Sequence, residues 1–178
     1  MRIAYTYSPN IWPMLASSAL SLALGIYAWR HRAVPSAVPL ALMCLLVSLW
    51  AILTGMEMAA ANDATRILHH ALEACTGVGS VSAMFLFALE YVGPPSVATK
   101  RTTSVIWLIC LVIWGLVATN GLHHLVWSRM WVDRVVQIER GPLNPFLLIY
   151  VLGLPFVSVI LFLRLLSRSR GFYRPQAV

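Results

Sequence analysis

Apolar residues in this chain come in runs of one repeating length. Ile11–Trp29, Val38–Met56, Thr102–Leu122 and Pro142–Leu163 contain no charged side chain, and the run from Arg66 to Val92 is interrupted by Glu73 and Glu90. At about 1.5 Å rise per helical residue, each run crosses a hydrocarbon layer of about 30 Å. The pattern predicts an all-α integral membrane protein. Its five transmembrane helices are expected at about 11–30, 38–57, 66–92, 102–122 and 142–167, forming a single membrane domain over residues 1–178. The first run is too long for the apolar core of a cleaved signal peptide and no clear cleavage site follows it, so it is expected to remain. Tyr5, Tyr7 and Trp12 before it have the character of interface anchors.

Composition agrees with that solvent. Sixty per cent of the 178 residues are hydrophobic and 11% are charged, more apolar surface than a soluble domain of this size can hide. The net charge of +7 reads as a topology signal. Arg30 and Arg32 follow the first span, Lys100 and Arg101 the third, and Arg164, Arg168, Arg170 and Arg174 the fifth. The opposite side carries Arg2, Arg66, Arg129, Arg134 and Arg140, partly offset by Asp63, Asp133 and Glu139. Positive charge concentrates on the cytoplasmic side, which places the N-terminus outside and the C-terminus inside. No basic, aromatic-interleaved soluble surface is present, so nucleic acid is not an expected partner.

The remaining loops are short except for 123–145 on the outer side. There "WVDRVVQIERG" has enough β-branched residues to predict a small hairpin or loop between the fourth and fifth helices. Cys44, Cys75 and Cys110 lie inside spans without CxxC spacing and read as small hydrophobes. In the third span Ala71, Cys75, Gly79 and Ala83 recur every four residues. Such a ridge lets helix backbones approach closely in lipid, so this helix is expected at the centre of the bundle. Gly153 and Pro155 in the fifth span predict a kink.

Sorting polar residues by depth gathers several near the outer ends of three helices. Glu57 closes the second span, and His69 and His70 open the third. Glu73 lies one turn deeper, about 12 Å in at 1.5 Å per residue, and His123, His124 and Trp127 end the fourth. Glu73 stands at i+4 from His69 and i+3 from His70, so its carboxylate can meet either imidazole. A carboxylate at membrane depth is costly unless paired or hydrated, which makes it a functional candidate. Histidine and tryptophan at helix ends also serve as headgroup-boundary anchors. Imidazole with carboxylate suits zinc or iron, but the spacing matches no strong ligand signature. No metal and no other cofactor is therefore expected. Glu90 is expected to snorkel or to pair with Lys100 or Arg101.

Several stretches carry a family resemblance: "YSPNIWPMLASSALSLALGIYAWRHRAVPSAVPLAL", "LW" followed by "MEMA", "FLFALEYVG", "TNGLHHLVW" and "GFYRPQA". In this order they resemble the N-terminal seven-helix membrane region of bacterial sensor histidine kinases. The resemblance implies a signal-input region preceding a cytoplasmic PAS, kinase or cyclase output module, in the bacterial cytoplasmic membrane. Glu57, Glu90, Asn120, His123, His124 and Trp127 match the family's polar pattern.

The chain departs from the family in having five spans, and within its 178 residues there is no phosphoacceptor helix, asparagine box or glycine-rich ATP lid. It is expected to have no kinase activity of its own. It then represents a truncated sensor, part of a longer chain, or a membrane subunit repurposed in a respiratory or photosynthetic complex. Lipid, partner transmembrane helices or a second copy are expected to fill the groove left by two helices. A cytoplasmic output module is the further expected partner if the native chain is longer.

Overall fold

The computed structural model describes residues 5–7, 9, 11–92, 97, 99–133 and 135–169. Arg2, Arg134, Arg170, Arg174 and the "GFYRPQA" stretch fall outside them. The elements are α1 Ile11–Arg30, α2 Ala37–Ala59, α3 Asp63–Val92, α4 Lys100–Ala118, α5 Asn120–His123, β1 Trp127–Val132, β2 Val136–Arg140 and α6 Asn144–Ser169. Five of these helices, α1, α2, α3, α4 and α6, are long and apolar enough to cross a membrane.

The fourth span ends earlier than its apolar run predicts. α4 stops at Ala118, and residues 120–123 form the separate turn α5, so His123 and His124 do not continue α4. α3 begins at Asp63, three residues before the predicted start, because Asn62 Oδ1 accepts from Thr65 N at 2.8 Å and caps the first turn. α6 continues through Pro155.

α1 and α2 form an antiparallel pair built on small residues. A Cβ on Gly25 would lie 3.1 Å from Leu45, and one on Gly55 3.1 Å from Ile11. Between them the buried hydroxyls of Ser18 and Ser48 hydrogen-bond across the pair at 2.8 Å.

α3 is the central helix, touching α2, α4, α6 and both strands. Ala71 and Cys75 pack against Val78, Cys110, Ile113 and Val117. Gly79 is enclosed by Trp114 and Leu46, at 3.0 and 3.1 Å from where a Cβ would stand, and Ala83 is fully buried. Trp114 Nε1 donates to Cys75 O at 2.7 Å, joining α4 to α3. Ser82 and Tyr150 share a 2.8 Å hydrogen bond that joins α6 to α3. At the opposite end of α3, Phe87 and Tyr91 pack with Phe162 of α6.

β1 and β2 pair antiparallel, with a register irregularity between Trp127 and Arg129. This hairpin lies at the end of the bundle where α2 passes into α3. Tyr5 bridges to Ala60 at the same end, and Thr6 N donates to Ala59 O at 2.7 Å. Glu90 is exposed and, among the described residues, pairs with neither Lys100 nor Arg101. The expected ion pair is absent there, and the side chain is left to solvent or headgroups.

Candidate functional site

The antiparallel turn between α2 and α3 sets the last turn of one helix beside the first turns of the next. Glu57 therefore faces His70 and Glu73. His70 Nδ1 lies 3.2 Å from Glu57 Oε2, both side chains being mostly buried. One ligating atom from each of Glu57, His70 and Glu73 falls within 4.8 Å of the others. Glu57 and Glu73 bring their carboxyl groups together, and Thr54, one turn below Glu57, donates its hydroxyl to Trp50 O at 3.0 Å. Oε1 of Glu73 is buried without a hydrogen-bond partner among the described residues.

Two carboxylates and one imidazole from two helices supply the donor types of a divalent metal site. The same set can instead share protons between its members. The sequence groups these residues by depth but shows no metal-ligand spacing, because Glu57 lies 13 residues from His70 and on another helix.

His69 turns away from this cluster. Adjacent helical residues point about 100° apart, so only one of the pair can face α2. His69 is buried, its Nδ1 donating to Thr65 O at 2.7 Å, with Tyr5 Oη 3.5 Å from Nε2. It anchors the N-terminal segment onto α3.

His123 is taken up by its own turn. Its Nδ1 accepts from Leu125 N at 3.0 Å and its Nε2 lies 3.1 Å from Thr119 Oγ1. His124 is exposed and adopts a left-handed backbone, φ 54°, that ends α5. Neither joins Glu73, because the chain reverses at Asn120 instead of continuing as helix.

Asn120 organises that reversal. Buried, it accepts from Val126 N at 2.9 Å and Trp127 N at 3.1 Å through Oδ1, and its Nδ2 donates to Trp127 O at 3.0 Å. Gly141 closes the base of the hairpin where a Cβ would meet Leu125 O, so only glycine fits. The effect is to seat Trp127, 5% exposed, with its ring 6.0 Å from that of His70. Of the seven polar and aromatic positions singled out in the sequence, Glu57, His70, Glu73 and Trp127 are brought together.

Beside the cluster lies a cleft of about 600 Å³ between α2, α3, α4, the hairpin and α6. Its walls are mostly aliphatic and aromatic, including Val47, Trp50, Ile113, Val117, Trp127 and Leu147. His70, Glu73 and Asn144 supply its polar edge. Asn144, the first residue of α6, is 7% exposed; its Nδ2 points to Val126 O at 3.4 Å, and its Oδ1 has no partner among the described residues. Nothing in the sequence singled it out, since it reads there as an ordinary helix start.

Five apolar helices around a polar cluster and a cleft define a multi-pass α-helical membrane protein. More particularly, the chain belongs to the family described as the N-terminal 7TM region of histidine kinase, which matches residues 13–178. No curated protein and no solved structure matches the chain.

Proposed function

We propose that this chain is the membrane-embedded signal-input module of a histidine kinase system, without kinase activity of its own. It lies in the bacterial cytoplasmic membrane with the hairpin end outside. One observation carries this reading: α3 both holds His70 and Glu73 at the cleft and touches α2, α4 and α6. A ligand or membrane state that moves α3 at the cleft therefore changes how α6 packs. α6 carries Arg164 near its C-terminal end, the end that this reading turns toward the output machinery. The mechanism needs two packing arrangements whose balance the signal biases.

The orientation is tested by labelling with an impermeant thiol reagent in intact cells. A cysteine replacing Asp133 reacts and one replacing Lys100 does not; the reverse result overturns it. The function is tested in native membranes. A signal-input module is found continuous with, or bound to, an ATP-dependent phosphorylating module whose output changes with Glu73→Gln. Phosphorylation indifferent to that change overturns the role of the cluster, and a chain held in a kinase-free assembly is an accessory subunit of a larger membrane complex.

A further inference from the structure

The cleft has an imbalance of hydrogen-bonding groups that specifies what fits it. Glu73 Oε1 and Asn144 Oδ1 are both buried acceptors on residues that line it, and neither has a donor among the described residues. The orientation of the Asn144 amide is fixed by its surroundings. Its Nδ2 faces the carbonyl of Val126, so a flip would set oxygen against oxygen. His70 directs Nδ1 at Glu57. Glu57 and Glu73 stand close enough to share one proton, and an entering cation takes the place of that proton.

A buried acceptor left unpaired is costly, and a carboxylate more so. The complement of these atoms is a cationic group with several N–H donors. The rest of the wall is apolar, and Trp50 and Trp127 line it with indole rings that favour a nearby cation. A volume of about 600 Å³ lies within the usual range for small-molecule sites.

We propose that the cleft binds a membrane-partitioning primary ammonium compound with an apolar body. Its N–H groups donate to Glu73 Oε1 and Asn144 Oδ1 while the body fills the space toward Ile113 and Leu147. This inference rests on the signal-input reading and names the chemical class of its ligand. A quaternary ammonium keeps the charge but has no N–H donors. An alcohol keeps a donor but has no charge, and a carboxylate sets like charges together.

The test uses the detergent-solubilised chain in a chelating buffer, so that no metal competes for Glu73. Binding of 4-phenylbutylamine, its N-trimethyl derivative and 4-phenylbutanol is followed by tryptophan fluorescence and by thermal unfolding. The amine binds saturably and about tenfold or more tightly than either analogue, the scale of one charge-assisted hydrogen bond. Glu73→Gln removes that preference while 4-phenylbutanol binds as before, which shows the variant is folded. Gly77→Leu, whose side chain enters the cleft with nothing within 4 Å of its Cβ, weakens all three compounds. An amine that binds no better than the alcohol, or a preference that survives Glu73→Gln, overturns the ammonium assignment and leaves the cleft a neutral apolar site. If none of the three compounds binds, the cleft is not a ligand site, and the signal-input reading loses its receptor as well.

Discussion

The α1–α2 pair and the α3–α4–α6 side of the bundle solve the same packing problem in opposite ways. Lipid offers little hydrophobic reward for bringing helices together, so contact depends on shape and on a few polar bonds. α1 and α2 use glycines at 25 and 55 and a buried serine pair, and the helices meet with tight van der Waals contact. On the other side the small residues belong to α3, and α4 and α6 bring large side chains to them, tied by Trp114–Cys75 and Ser82–Tyr150. Between those ties lies the cleft. Glycines contributed by both helices give a fixed joint, whereas large side chains set on the small face of one helix leave room beside them, and the polar cluster borders that room.

That contrast can be broken by filling each side. Gly79→Leu should have the largest effect, because Trp114 and Leu46 already stand at 3.0 and 3.1 Å from its Cβ position. Overpacking of this kind costs up to about 3 kcal/mol, read as a markedly lower unfolding temperature in detergent. Gly25→Leu should cost somewhat less, since one face of that helix remains toward lipid and Leu45 can shift. A silent Gly79→Leu would remove α3 from the centre of the bundle.

Smaller effects separate the polar ties. Trp114→Phe deletes the 2.7 Å bond to Cys75 O and should cost about 1 kcal/mol, with a matching rise in the rate of α4 amide exchange. Ser18→Ala removes one partner of the α1–α2 bond and should cost about 0.6 kcal/mol, the mean for such pairs in membranes. The smallest effect is expected at Gly77. Leucine there meets open space, so stability should change by less than about 0.5 kcal/mol. A large loss at Gly77 would mean that the cleft closes in the protein as it stands in the membrane.

The five spans were legible because bilayer thickness imposes a length that few other structures share. The four-residue ridge in the third span reads as a packing face by its spacing alone, and in the structure its Gly79 stands against Trp114 and Leu46. The cluster was only half legible. The sequence placed Glu57, His70 and Glu73 at one depth, but His69 is adjacent to His70 and offered Glu73 the equally good i+4 spacing. Which histidine faces α2 depends on the rotation of α3, and that is set by packing along its whole length. His123 and His124 misled for another reason. The apolar pattern runs on to Leu122, while the Asn120 side chain supplies the hydrogen bonds that stop the helix at Ala118. Asn144 was illegible because a lone asparagine at a helix start gives no sign that its oxygen is left without a partner.

The Ser82–Tyr150 tie also has a consequence for biosynthesis. Its partners stand 68 residues apart, whereas Ser18 and Ser48 are separated by 30. A ribosome delivering the chain from its N-terminus releases α1, α2 and α3 while Tyr150 is still unmade. The first three helices can settle against one another in that interval, so α3 waits in the bilayer with the flank that α6 will cover still exposed to lipid. The cleft therefore comes into being last, and a lipid or ligand already resting against α3 can be enclosed as α6 arrives.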